Sequence, residues 1–267
     1  MTQSPVDLVT VVVATYTRVG QERAYLVRLM VFPFLLAWFN VVLVNVMDIE
    51  VSVLRRGLLM LPSVFAEGWL VAQFLRTVMT GERWPQRIPR PLPHPLPPGV
   101  MMRVRGLLGA IVMYVLTQVL TNAVVGGFLT AYPDFVGHGQ TPTEPPPTAM
   151  GIAFGMLVVS VFQFRLFFLH VPMVVNGHLR DYLKATRPWS VNIQMVAGWL
   201  GVQVPLLAVT LVVLQPLVQG GTGADIFAFG AFLLVSGLSV VVQLVLAILG
   251  SLVVAAILFP HLVVSPE

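Results

Sequence analysis

The stretch VSVFQFRLFFLHVP, residues 159–172, lies inside an apolar run that extends over residues 149–176. It carries Arg165 near its middle and His170 shortly after. Whether this run is a membrane span decides the fold, and its surroundings indicate that it is. A crossing needs about 20 apolar residues to cover about 30 Å of hydrocarbon. Residues 25–47, 57–79, 106–130, 195–218 and 227–259 form five further runs of that kind. The 267-residue chain is 57% hydrophobic and 10% charged, with a mean hydropathy of +0.88. A soluble domain has about 25% charged residues. Lipid cannot satisfy an open sheet edge, so each run is read as a helix. The expected fold is an all-α polytopic membrane bundle of six transmembrane helices over residues 25–259. The last run exceeds one crossing and is expected to tilt or to begin along the surface.

Basic residues mark the orientation. Arg83, Arg87, Arg90, Arg103 and Arg105 fall in the link at residues 80–105, with Arg76 just before it. Arg180, Lys184 and Arg187 fall between the fourth and fifth runs. The loop at residues 131–148 has Asp134 and Glu144 but no Lys or Arg. Positively charged links stay inside. Both termini, including the tail at 260–267, are therefore expected on the cytoplasmic side of a bacterial inner membrane. Asp48, Glu50, Arg55 and Arg56 make the first outer link mixed.

Residues 1–24 read as an interfacial segment rather than a signal peptide, because Asp7 comes first and Arg18 follows. On a helix, Asp7, Thr10, Ala14, Thr17, Arg18 and Gln21 share one face, and Val6, Val9, Val13 and Tyr16 another. A short strand is the alternative, since residues 11–13 are β-branched. The link RWPQRIPRPLPHPLPPG, residues 83–99, is too proline-rich for a regular helix and reads as extended polyproline. It is expected to be a spacer or a docking peptide.

Polar side chains within spans are functional candidates by default. Glu67 and Arg165 each fall roughly 15 Å from one end of their runs, at about 1.5 Å per residue. Their matched depth and opposite charge lead to an expected intramembrane ion pair. Glu67 alternatively serves a proton relay. His170 is expected either to hydrogen-bond within the bundle or to supply one axial ligand to a haem. No cofactor is assigned. No metal is assigned either, because HExxH, cysteine and carboxylate clusters are lacking. The sequence has no GxSxG or GxxxxGK[ST] motif, and its cysteine count is zero, so an enzyme is not expected. Gly151 and Gly155 form a GxxxG in the fourth run. The net charge of +4 is spread over links beside spans, which favours orientation and anionic lipid over nucleic acid.

Three segments carry a family likeness: RLMVFPFLLAW at 28–38, WLVAQFLRTVMTGERW at 69–84, and FRLFFLHVPMVVNG at 164–177 followed by ATRPW at 185–189. Together the chain resembles the bacterial six-span membrane families around YciC and the membrane domain of glycerophosphoryl-diester phosphodiesterases. The resemblance implies the fold and a membrane location, and no activity. The expected function is that of a non-catalytic accessory, scaffold or membrane-organising subunit. Its expected partners are anionic lipids, another membrane protein or a second copy of itself. A small proton-coupled transporter using Glu67 is the alternative.

Overall fold

The computed structural model describes residues 7–46, 53–84, 98–131, 147–219 and 226–260. Arg87, Arg90, Asp48, Glu50, most of the proline-rich link, the 132–146 loop and the 261–267 tail lie outside the described residues. The chain is an all-α polytopic membrane bundle. Its helices are α1 (Leu8–Gln21), α2 (Arg23–Val46), α3 (Val53–Thr80), α4 (Pro98–Ala131), α5 (Pro147–Phe162), α6 (His170–Val174), α7 (Leu179–Ala185), α8 (Trp189–Gln219) and α9 (Ile226–Leu258). Five of them, α2, α3, α4, α8 and α9, are long and apolar enough to cross a membrane.

The expected fourth helix is not continuous. The run breaks after Phe162, passes through a 3-10 segment at Phe164–Phe168 and continues as α6, with residues Phe164–Val174 lying at 61° to α5. By length and composition the two bent parts together are apolar enough for a sixth span. The cause of the break is a side chain in the backbone ladder. A straight helix would bond the Arg165 N–H to the Val161 carbonyl. Instead the Asn192 amide takes both groups: its Nδ2 donates to Val161 O at 2.6 Å, and its Oδ1 accepts from Arg165 N at 3.3 Å. Beyond α6, Asn176 turns the chain with a φ of 57°. Its own N–H and that of Gly177 close back on the Met173 and Pro172 carbonyls. Asparagine tolerates this left-handed conformation better than most residues.

Helices α3 and α9 form the core. Leu70, Val71, Phe74 and Leu75 on α3 are buried, and residues 252–256 of α9 are buried without a gap. A helix apolar on all sides belongs in the middle of such an assembly. Helices α2, α4 and α8 flank these two and turn long apolar faces outward. Close approach requires glycine at Gly106, where a Cβ would stand 2.9 Å from the Met173 carbonyl oxygen and collide with Asn176 Oδ1. This contact seats α4 on the end of α6. Gly151 and Gly155 on α5 meet nothing within 4 Å, so no other described helix of the chain packs against them.

Helix α1 is present and starts at Asp7, whose carboxylate accepts from Val9 N. It packs on α8 and α9 through Val11 and Thr15. Tyr16 donates its hydroxyl hydrogen to Val202 O at 2.6 Å. Val9 and Val13 stay 70% and 57% exposed, so the apolar stripe read from the sequence faces outward while a neighbouring stripe holds the helix down.

Candidate functional site

Near its middle, α3 turns Glu67 into the bundle, where the residue is only 7% exposed. Its Oε1 accepts from the Tyr114 hydroxyl of α4 at 2.7 Å, and its Oε2 from Gln243 Nε2 of α9 at 3.2 Å. Both oxygens are thus used, one by each neighbouring helix. Gly68 lets the Tyr114 ring lie against α3, since a Cβ there would approach ring carbon Cδ1 at 3.0 Å. The three helices bring these groups to one level, about 20 Å from the ends of α3 and α9 at Thr80 and Leu258.

The structure does not bring Glu67 and Arg165 together. Among the described residues the ion pairs are Arg76–Glu82, Arg83–Glu22 and Arg103–Glu82. The break after Phe162 explains the difference. The equal-depth reading assumes one straight helix, but Arg165 lies beside Asn192, within one turn of the start of α8. That is the end of the bundle where Thr80, Arg103 and Leu258 also lie, hereafter the basic end. The Arg165 carbonyl accepts from the Tyr182 hydroxyl at 2.7 Å. Its Nε is buried without a hydrogen-bond partner among the described residues. Burial pushes the Tyr182 phenol up, and the nearby Arg165 charge opposes this.

His170, on α6, is buried between α4 and α9. Its Nε2 lies 2.9 Å from Ser251 Oγ, and Ser251 Oγ donates to the Ala247 carbonyl at 2.8 Å. His170 Nδ1 is buried with no partner among the described residues. The Tyr114 ring stands edge-on to the imidazole, with centroids 5.1 Å apart. Glu67, Tyr114 and His170 therefore follow one another through the interior.

The basic surface read from the sequence divides into two sets. Arg76 does not belong to the surface: it is 7% exposed, donating from Nε to Glu82 Oε2 at 2.7 Å and from Nη1 to Val174 O at 2.8 Å. Arg103 also grips Glu82, donating from Nε to Oε2 at 2.9 Å and pairing through Nη2 with Oε1. Arg83 donates from Nη2 to both Glu22 oxygens at 2.9 Å. Arg105, Arg180, Lys184 and Arg187 are exposed.

Burial alone pushes the Glu82 carboxyl up, but the hydrogen bonds and charges of Arg103 and Arg76 outweigh it. The group is held below its ordinary 4.5. A depressed folded-state value means that its contribution to stability is present above 4.5 and lost as pH falls through the lower value. Thermal unfolding in detergent is expected to show the wild type more stable than Glu82→Gln near neutrality. That gap should narrow as pH falls below 4.5 and through the depressed value. A gap independent of pH would contradict this role.

Asn192, Tyr114 and Tyr182 carry more of the arrangement than their sequence context suggests. Tyr114 and Asn192 lie in or beside apolar runs and have no charge to draw attention. Gln243 and Ser251 are visible as intramembrane polar groups, but their partners are not. No family model, no curated protein and no solved structure matches this chain.

Proposed function

We propose that the chain is a non-catalytic accessory or scaffold subunit of a bacterial inner membrane, with both termini cytoplasmic. It works by contact with anionic lipid and with a membrane protein or a second copy. The division of its polar groups carries this reading. The interior groups around Glu67 are consumed in bonds between helices, whereas Arg105, Arg180, Lys184 and Arg187 stay exposed on one rim. Such cations each add about 1 kcal/mol of attraction near an anionic leaflet. The resemblance to the YciC-like families belongs to the same proposal and adds a location without an activity.

A proton-coupled carrier is the second reading. The succession of Glu67, Tyr114 and His170 favours it, because relays use chains of titratable groups. Proteoliposomes separate the two. The scaffold reading expects the purified full chain to retain anionic over zwitterionic lipid, with no potential-driven proton flux. A flux that disappears in Glu67→Gln would overturn it in favour of the carrier.

A further inference from the structure

At the basic end, the α1–α2 junction and the turn after α3 enclose an open cleft of about 400 Å³, whose walls include Glu22, Tyr25, Arg28, Arg83 and Trp84. The cleft is built from several tied parts. The Tyr25 hydroxyl accepts from Trp84 N at 2.8 Å and from Thr77 Oγ1 at 3.2 Å, which holds the turn against α2. Arg83 lies 5.8 Å over the Tyr25 ring while donating to Glu22. Its charge is therefore partly answered. Arg28 is exposed and has no carboxylate partner among the described residues. The cleft thus keeps one unanswered cation beside two aromatic side chains, Tyr25 and Trp84.

Arg28 also begins an apolar stripe. Val31, Phe32, Leu35 and Phe39 follow on the same face of α2, at three-, four-, seven- and eleven-residue offsets, and are 53%, 62%, 52% and 60% exposed. They lead away from the basic end along a helix apolar enough to span a membrane. A cationic cleft that opens onto an apolar bed fits an amphiphile with an anionic head. Tyrosine and tryptophan commonly line such a boundary, with an apolar body and a polar tip.

We propose that this cleft binds the phosphate of one anionic phospholipid, held by Arg28 and Arg83, with an acyl chain lying on the α2 stripe. The phosphate of a soluble ester shares the head chemistry, but it would leave the stripe unused. The proposal rests on the reading that the basic rim faces anionic lipid.

The test titrates the full chain in neutral detergent with phosphatidylglycerol, phosphatidylcholine or glycerol 3-phosphate, reading Trp fluorescence and counting bound lipid by native mass spectrometry. One phosphatidylglycerol is expected to be retained in preference to phosphatidylcholine. Arg28→Gln should weaken it by more than about tenfold, the loss of a direct hydrogen bond from a charged group to the phosphate. Arg23→Gln, which removes an exposed charge from the same helix outside the cleft, should weaken it by no more than about fivefold, the diffuse effect of one near-surface cation. Both positions are exposed, and unfolding temperatures check that each variant is folded. Equal loss in the two variants would overturn the site while leaving a diffuse attraction of the rim for anionic lipid. Equal retention of both lipids would overturn the rim reading as well. Displacement by millimolar glycerol 3-phosphate would show a soluble ester as the occupant and overturn the lipid assignment.

Discussion

Glu67→Ala is expected to lower the stability of the detergent-solubilised protein by about 2–3 kcal/mol, and Glu67→Gln by less than about 1. The alanine variant leaves the Tyr114 hydroxyl and the Gln243 amide without their acceptor and opens a space among three helices. An unsatisfied buried polar group costs about 1–3 kcal/mol. Interhelical hydrogen bonds in membranes average about 0.6 kcal/mol, which keeps the expected total near the low end of the two losses combined. Glutamine can preserve both contacts. Its oxygen accepts from Gln243, and its amide donates to Tyr114 once that hydroxyl rotates, because a phenol oxygen both donates and accepts. Unfolding titrations followed by Trp fluorescence distinguish the outcomes. An alanine variant as stable as wild type would remove Glu67 as a tie between α3, α4 and α9. A glutamine variant as damaged as alanine would mean that the carboxylate charge matters more than the bond geometry.

The parts of the fold that hydrocarbon dictates were legible in the sequence. Lipid sets a minimum length and demands an internally bonded backbone, so the runs corresponding to α2, α3, α4, α8 and α9 declare themselves by hydropathy alone. Helix α1 was legible from the spacing of Val9, Val13 and Tyr16. The bend after Phe162 was not. Proline or glycine commonly marks a kink, and residues 160–163 contain neither. The cause sits at Asn192, distant in sequence and in the first turn of α8, ahead of the apolar run that marks that helix. Losing the bend also misplaced Arg165, because depth in a straight helix follows from counting residues and depth past a bend does not. The pairing of Glu67 failed for a related reason. A search for an opposite charge passes over Tyr114 and Gln243, neutral groups that reach the same carboxylate from two helices. Arg76 illustrates the converse. Its place near the end of a run suggests a surface cation, yet Glu82 and the Val174 carbonyl turn it inward.

Asn192→Leu is expected to cost about 2–4 kcal/mol and to change the shape of the bent segment between α5 and α6. The substitution keeps a similar volume but removes the amide that answers Val161 O and Arg165 N. Two backbone groups at the bend then lack partners, at about 1–3 kcal/mol each where they are buried. The chain has one local remedy, which is to form the direct bond between those groups and straighten the helix. Straightening would move Arg165 away from the Tyr182 hydroxyl and Phe162 off Trp189, whose rings stack with centroids 4.5 Å apart. The remedy therefore exchanges one set of losses for another. Asn192→Asp should be no milder: one oxygen still accepts from Arg165 N, but the other faces the Val161 carbonyl without a hydrogen between them, and the charge is buried. Two measurements expose the choice: unfolding titrations for the cost, and spin-label distances between α5 and α7 for the bend. A leucine variant with wild-type stability and unchanged distances would show that the bend is held by packing around Phe164 and Phe168, with the Asn192 amide only filling a gap that already exists.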